Sequence, residues 1–229
     1  MSLKDLAREL RSLYAEVRNY VDERLEQFRT LGREGKTRFN FLPFLEASYT
    51  CDVFSELSFC LLTANFPVER GILIQKSIGS DGFSGLGKKA LESRLRRLGH
   101  RFPAQRAERI TRARRIIDVL LEAISKEKSG KVLRERLTSG KSEIRVTGLG
   151  YKEASHFLRN VGFDDVAIID RHVFRFLVNE GICENYKTLT PSRYLEAERR
   201  IEELSRMVGI PLSALDLVIF YRMTGKILK

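Results

Sequence analysis

Hydrophobic positions along the chain recur mainly at three- and four-residue steps, the spacing that places apolar side chains on one face of an α-helix. The first run predicts one long amphipathic helix, with Ser2 as its N-cap. A break with glycine and lysine from Gly32 to Arg38 follows, and Asp52 to Ala64 is predicted to form a second helix. The first run consists of Leu3, Leu6, Leu10, Leu13, Val17, Val21, Leu25 and Phe28.

Helical patterns continue through the rest of the chain, separated by glycine, proline and serine. One apolar segment, Val166 to Ile169, is the only extended piece that the pattern predicts, and it is too short and solitary to found a sheet. The fold class predicted from the pattern is therefore all-α. The further helices are predicted at 68–78, 86–98, 105–126, 131–139, 151–160 and 171–179.

The net charge of the chain suggests a binding partner. The chain of 229 residues carries 41 lysines and arginines against 30 aspartates and glutamates, a formal net charge of +11. A basic protein releases counterions when it neutralises phosphates, so nucleic acid is the first candidate partner, although an acidic membrane surface would also fit. No apolar run approaches the ~20 residues that span a bilayer, and the first residues lack the apolar core of a signal peptide. We therefore expect a cytoplasmic protein that does not enter a membrane.

The cysteines argue against a metal centre. Cys51, Cys60 and Cys183 are an odd number at wide spacings, which suits neither a disulfide framework nor a zinc or iron–sulfur cage. We expect no metal and no cofactor, and a reducing compartment.

Two glycines mark a hairpin between helical patterns. Gly148 and Gly150 can take backbone conformations closed to other residues and leave amides beside the start of the next helix, where a phosphate can bind. This predicts a DNA contact that does not depend on base sequence. Taken alone, the same pattern also fits an ordinary tight turn.

Chain geometry brings one amine and one carboxylate together. Lys152 falls in the first turn of the helix predicted at 151–160. That helix advances ~15 Å at ~1.5 Å per residue, and Val166 to Ile169 returns over a comparable distance at ~3.3 Å per residue, so Asp170 should lie beside Lys152. Asp170 is also predicted as the N-cap of the next helix. On spacing alone, a solvated lysine and a helix-capping aspartate explain both residues better than a catalytic pair does.

The segment from Gly148 to His172 resembles the helix-hairpin-helix glycosylases, in which a catalytic lysine follows the hairpin and a catalytic aspartate comes about eighteen residues later. Lys152 and Asp170 match those positions. More narrowly, the chain resembles the compact 8-oxoguanine DNA glycosylase/AP lyase branch found mainly in archaea and some thermophilic bacteria. The matching stretches are 153–160, 167–172, 56–65, 99–102 and 215–221.

This resemblance implies two helical subdomains that flank a basic cleft. Residues 1–55 should pack with a C-terminal subdomain, 166–229, that carries the catalytic aspartate. Residues 56–165 should form the other subdomain and end in the helix-hairpin-helix, at about 131–161. The iron–sulfur loop of related endonucleases is absent from the sequence after Asp170.

The resemblance also implies which residues hold the damaged base. Phe102 and an aromatic residue near the C-terminus should sandwich it; that residue is usually tryptophan, but here it is Phe220, and the chain contains no tryptophan. Asp216 should contact the base. Lys229 corresponds to a final lysine whose side chain and terminal carboxylate help to discriminate the oxidised base. His156 and His172 lie inside the motifs and are assigned no chemistry.

A bifunctional repair enzyme is therefore expected, acting as a monomer on double-stranded DNA that contains oxidised guanine. Lys152 would attack the anomeric carbon of the extruded nucleotide, and the resulting Schiff base would allow β-elimination 3′ to the lesion. Two alternatives are a noncatalytic helix-hairpin-helix DNA-binding module and a monofunctional glycosylase that uses water. The presence of both Lys152 and Asp170 argues against the first, and Lys152 against the second.

Overall fold

The computed structural model describes residues 2–229, and its secondary structure is mostly helical, as predicted. Two short strands, β1 (Lys36–Asn40) and β2 (Ser48–Asp52), follow the first helix. The helices are α1 (Leu3–Glu34), α2 (Val53–Thr63), α3 (Val68–Gly85), α4 (Lys88–Arg97), α5 (Pro103–Ala113), α6 (Ile117–Lys126), α7 (Gly130–Thr138), α8 (Tyr151–Asn160), α9 (Arg171–Asn179), α10 (Pro191–Val208) and α11 (Leu212–Thr224).

The first helix, α1, extends slightly beyond its predicted end. Ser2 caps it by accepting a hydrogen bond from the Asp5 amide, as predicted, and Gly35 ends it with a left-handed φ of 73°. Gly32, predicted to begin a break, lies inside the helix, and the carbonyl of Val161 occupies the place where its β-carbon would stand. Glycine at this position therefore permits a close approach between α1 and the backbone of Val161, rather than a turn. The helix packs against α8, α10 and α11.

The strand pair β1–β2 is the main element that the pattern did not predict. The strands are antiparallel, with Thr37 opposite Cys51 and Phe39 opposite Tyr49. The prediction that Val166 to Ile169 is the only extended segment was therefore wrong. An isolated two-stranded hairpin is marginally stable, so this one depends on packing against other elements. Phe39 is fully buried, and its ring meets that of Phe28 on α1 edge-on, with 5.7 Å between the ring centroids.

Several helix boundaries also differ from those predicted. The helix predicted at 68–78 continues as α3 to Gly85, across a kink at Gly79 where φ is 70° and ψ is 167°. The single helix predicted at 105–126 is two helices, α5 and α6, joined by a 3₁₀ turn, Arg114–Ile116. The predicted helices at 151–160 and 171–179 are confirmed as α8 and α9.

No single helix within residues 2–229 has the length and apolar content of a membrane span, although the sharply bent pair α10 and α11 has both when the two helices are taken together. Within the same residues, no group of three or more histidine, cysteine or acidic side chains is arranged to hold a metal ion.

The segment from Val166 to Ile169 runs between α8 and α9 without joining a sheet. Side chains from α10 and α11 accept hydrogen bonds from three successive backbone amides, in the place that a neighbouring strand would take. This fixes the backbone immediately before Asp170. The bonds run from Ala167 N to Glu198 Oε1 (3.1 Å), from Ile168 N to Asp216 Oδ2 (3.2 Å) and from Ile169 N to Tyr194 OH (3.2 Å).

A buried ion pair joins this segment to the helix-hairpin-helix. Arg134, on α7, makes two hydrogen bonds to Glu198, at 2.5 and 2.7 Å, and both side chains are almost completely buried. Arg134 also donates to Ser155 Oγ on α8, at 3.0 Å. Because Glu198 accepts from Ala167 as well, one cluster connects the helix that carries Lys152 to the segment that ends at Asp170.

Candidate active site

A cavity of about 950 Å³ lies beside α8, α9 and α11. This volume is at the upper end of the range of roughly 300–1,000 Å³ that is usual for small-molecule sites. Its wall includes every residue that the sequence suggested for catalysis or for contact with the base. These are Lys152, Asp170, Phe102, Phe220, Asp216 and Lys229.

Lys152 is the second residue of α8 and is half-buried on the cavity wall. Its amine makes no hydrogen bond or ion pair with any side chain or backbone group of residues 2–229. An amine that is not engaged elsewhere is available to attack a bound substrate.

Asp170 is the N-cap of α9, as predicted, and lines the same cavity. Its Oδ1 accepts hydrogen bonds from the amides of His172 and Val173, both at 2.8 Å. Within residues 2–229, Oδ2 receives no hydrogen bond. One carboxylate oxygen thus holds the side chain in place, and the other can interact with a substrate or with Lys152.

Asp216, on α11, is a buried carboxyl on the cavity wall. Burial raises its pKa to about 6, against the opposing effects of the Arg159 guanidinium and the Ile168 amide. Arg159 Nη1 lies 3.6 Å from Asp216 Oδ1, and Oδ1 has no hydrogen-bond partner among residues 2–229. This oxygen is therefore a buried acceptor with unused hydrogen-bonding capacity, on a residue of the cavity wall.

Phe102 and Phe220 are the two aromatic residues expected to stack on a base. Phe102 precedes α5 and is 36% exposed, with the guanidinium of Arg101 5.0 Å from its ring centroid. The ring of Phe220, on α11, packs nearly perpendicular to the ring of His172, with 5.5 Å between the ring centroids. Both rings line the cavity, so the structure brings them together with Lys152 and Asp170.

The ammonium of Lys229 is held inside the protein. Its Nζ donates to Glu56 Oε2 at 2.5 Å and to Gln75 Oε1 at 2.7 Å, and the side chain is 0% exposed. The ring centroids of Phe39 and Phe59 lie 4.0 and 4.4 Å from Nζ, which is a cation–π arrangement. The ammonium thus anchors this residue against the core, while the residue itself contributes to the cavity wall.

Replacing Lys229 with methionine is expected to destabilise the fold by about 3–5 kcal/mol, because it leaves the carboxylate of Glu56 buried without its cation. Thermal and urea unfolding would measure this loss. The double variant Lys229→Met with Glu56→Gln should regain much of the stability, since it removes the unpaired charge. A single variant as stable as the wild type would contradict the importance of this ion pair.

The hairpin glycines lie outside the cavity wall. Gly148 has a φ of +100°, a conformation that favours glycine, and a β-carbon there would stand 2.5 Å from Cδ of the flexible Arg109 side chain, which would have to shift. Gly150 is the N-cap of α8, and its amide donates to Glu153 Oε2 at 3.3 Å. Phosphate binding by this hairpin stays a prediction.

Two buried cavity residues on α8 received no role from the sequence. His156 and Arg159 are almost completely buried and line the cavity beside Asp216. They follow Lys152 at steps of four and three residues, which places all three on one face of α8. That spacing was a readable signal, although it also fits ordinary core packing.

Comparison with known proteins gives a consistent result. The family model described as 8-oxoguanine DNA glycosylase matches residues 21–210. The chain is 50% identical to the 8-oxoguanine DNA glycosylase/AP lyase of Aquifex aeolicus (strain VF5), over 98% of this chain and 100% of that one. It is 44% identical to the 8-oxoguanine DNA glycosylase/AP lyase of Methanocaldococcus jannaschii, over 94% of each.

Solved structures agree. The 8-oxoguanine glycosylase/lyase of Methanocaldococcus jannaschii, crystallised with a 15mer DNA containing 8-oxoguanine, superimposes with a TM-score of 0.83 and 41% identity, covering 98% of this chain and 99% of that one. The 8-oxoguanine DNA glycosylase of Thermotoga maritima gives a TM-score of 0.84 and 36% identity, covering 100% of each. The chain therefore belongs to the helix-hairpin-helix family of 8-oxoguanine DNA glycosylase/AP lyases.

Proposed function

We propose that this protein removes 8-oxoguanine from double-stranded DNA and then cleaves the strand, with Lys152 as the nucleophile and Asp170 as its acidic partner. The observation that supports this most strongly is the presence of an unengaged amine and a half-engaged carboxylate on the wall of one cavity. That wall also carries two aromatic rings suited to hold a base.

The first chemical step is displacement at the sugar. The neutral amine of Lys152 forms a bond to the anomeric carbon while the bond from that carbon to the base breaks, and the base leaves with the electron pair and takes up a proton. The carboxylate of Asp170 stabilises the positive charge that develops on the sugar and accepts a proton from the lysine nitrogen. Its fixed Oδ1 keeps it in position for both tasks.

The second step cleaves the strand. After the sugar ring opens, the lysine adduct becomes a Schiff base, which acidifies the neighbouring sugar hydrogen. Loss of that proton and departure of the 3′ phosphate is a β-elimination, and water then releases the lysine. A glycosylase that used water alone would leave the backbone intact, so the free amine of Lys152 favours the bifunctional reaction.

The proposed partner is double-stranded DNA carrying 8-oxoguanine, bound by a monomer in the cytoplasm. The net charge of +11 favours binding to phosphates, and the Methanocaldococcus jannaschii relative was crystallised with DNA containing this lesion. Hairpin amides around Gly148 and Gly150 would contact the backbone of the DNA, while Phe102, Phe220, Asp216 and Lys229 would contribute to the base site.

An excision assay tests the proposal directly. The wild-type protein is incubated with otherwise identical duplexes that contain 8-oxoguanine or guanine, and released base and strand breaks are measured separately. We expect release of 8-oxoguanine together with cleavage 3′ to the lesion, and a covalent protein–DNA adduct when borohydride is added. Base release without cleavage or adduct would refute the role of Lys152, and no release would refute the function.

Asp216 should give excision a distinctive pH dependence. Its pKa is raised to about 6, so the carboxylate is ionised above that pH and protonated below it. If the ionised form accepts hydrogen bonds from the N–H groups of the base, kcat/KM for excision should fall about tenfold per pH unit below ~6. Asp216→Asn should lower excision and remove this dependence.

Cleavage of a preformed abasic site is the control, because it involves no base and should lack the Asp216 step. If kcat/KM for excision by Asp216→Asn still falls at low pH with a midpoint near 6, that ionisation belongs to another group.

A further inference from the structure

Lys229 presents its backbone to the cavity, and not its ammonium. The whole residue is 5% exposed, whereas its side chain is 0% exposed, so the atoms that remain accessible belong to the main chain. Lys229 lines the cavity that contains Lys152 and Asp170. A main-chain group of this residue is therefore what a ligand in the cavity can meet.

The backbone of Lys229 lies beside α8, the helix that carries Lys152. Burial lowers the pKa of His156 well below its ordinary value, the positive charge of Lys152 adds to the effect, and the backbone of Lys229 opposes it. A main-chain oxygen acts in this way because it accepts a hydrogen bond from the imidazole and so favours the protonated ring. His156 follows Lys152 on the same face of α8, about 6 Å further along the helix axis. The main-chain oxygen of Lys229 thus stands close to the nucleophile.

A buried cluster behind the cavity wall holds the ammonium of Lys229. Gln75, on α3, is fully buried and does not line the cavity. Its Oε1 accepts from Lys229 Nζ and from the hydroxyl of Tyr49 on β2, both at 2.7 Å. Its Nε2 donates to Ser55 Oγ and to Glu56 Oε2, both at 3.1 Å. Because all four bonds depend on which end of the amide points where, the amide cannot flip without losing them.

The two polar partners of the ammonium contribute differently. Glu56 supplies the opposite charge, at 2.5 Å from Lys229 Nζ, and Gln75 supplies a neutral acceptor in a second direction. A single acceptor would leave the ammonium free to pivot, whereas two acceptors on different helices fix the direction in which it points.

We infer that Gln75 is a positioning residue for recognition of 8-oxoguanine, because by fixing the Lys229 side chain it fixes where the backbone of Lys229 meets the base. This inference rests on the proposed function. 8-Oxoguanine carries an N–H group at N7, where guanine has a lone pair. A main-chain oxygen in the right place can accept from the oxidised base and repel the ordinary one.

Gln75→Met removes the second acceptor and keeps much of the length of the side chain. We expect single-turnover excision of 8-oxoguanine to slow about tenfold, since a displacement of roughly 1 Å at a substrate contact can cost that much or more. Cleavage of a preformed abasic site uses Lys152 without any base, so it should stay within about twofold of the wild type. A general loosening of the fold would slow both reactions together.

Tyr49→Phe is the matched control. It removes a hydrogen bond to Gln75 from the same cluster but leaves both bonds of the Lys229 ammonium in place. Excision and abasic-site cleavage by this variant should both stay within about twofold of the wild type.

Two further variants at position 75 complete the experiment. Gln75→Glu keeps an acceptor oxygen toward Lys229 and should excise 8-oxoguanine faster than Gln75→Met does. Gln75→Asn keeps the amide but is one methylene shorter, which draws the oxygen away from the ammonium. It replaces Gln75→Met if that variant does not fold, and it should slow excision without slowing abasic-site cleavage.

The inference is overturned if Gln75→Met slows both reactions in equal proportion or leaves both at the wild-type rate. It is also overturned if Tyr49→Phe slows excision as much as Gln75→Met does, or if Gln75→Glu is no faster than Gln75→Met. Failure of the wild-type protein itself to release 8-oxoguanine would instead refute the proposed function, so the two failures are distinguishable within one set of assays.

Discussion

Replacing Lys152 with glutamine is expected to abolish both base excision and strand cleavage, with a loss of about 10⁴-fold or more, the scale seen when an enzyme loses its nucleophile. Glutamine is close to lysine in length and is a good helix former, but its amide nitrogen cannot form a Schiff base. Because the lysine amine makes no ion pair or hydrogen bond within residues 2–229, stability should change by no more than about 0.5 kcal/mol. Single-turnover excision and borohydride trapping on 8-oxoguanine and abasic-site duplexes measure the loss.

A matched control separates this chemistry from a simple loss of positive charge. Lys89, on α4, is exposed and lies outside the cavity wall, and Lys89→Gln removes the same charge. That variant should trap abasic DNA as the wild type does. An adduct of wild-type strength from Lys152→Gln would assign the nucleophile to another amine.

The local part of the site could be predicted from the sequence because it depends on local geometry. From Gly148 to His172 the chain forms a turn, a helix, an extended return and a second helix cap, and each has a recognisable pattern within 25 residues. The path lengths of the helix and the return then place Lys152 and Asp170 close together. The structure has both residues on one cavity wall, with the predicted cap on α9.

Contacts between distant segments could not be predicted in this way. Lys229 pairs with Glu56, 173 positions earlier, and nothing in the sequence near either residue indicates that their charges meet inside the protein. Likewise, the amide of Ile168 bonds to Asp216, 48 positions later. The strand pair was missed for a related reason: its five-residue strands are short, and its stability comes from packing on α1 and α3.

Contacts between distant segments hold the site in place. Asp170 follows a segment whose amides bond to side chains from α10 and α11, so its position is specified by residues far along the chain. The ion pair between Arg134 and Glu198 adds the hairpin motif to that cluster. The segment that brings the Asp170 carboxylate to the Lys152 amine is local in sequence. The rigidity that keeps these two groups close together comes from long-range contacts.

Replacing Asp170 with asparagine is expected to slow excision by about 10²- to 10⁴-fold while leaving the fold nearly unchanged. Asparagine caps helices as well as aspartate does, so its side-chain oxygen can keep the bonds from the amides of His172 and Val173. What is lost is the negative charge that stabilises the sugar cation and accepts the proton of the lysine. Asp170→Ala should show the same loss of activity together with about 1 kcal/mol of destabilisation from the lost cap.

A preformed abasic site distinguishes the two tasks of Asp170. An abasic site already presents an aldehyde, so forming the Schiff base does not require a base to depart from the sugar. Borohydride trapping of Asp170→Asn on abasic DNA should therefore fall much less than excision of 8-oxoguanine. If both fall equally while the unfolding midpoint stays at the wild-type value, the carboxylate acts mainly on the proton of Lys152. If neither falls, Asp170 is a helix cap alone, and the charge that promotes departure of the base comes from another residue on the cavity wall.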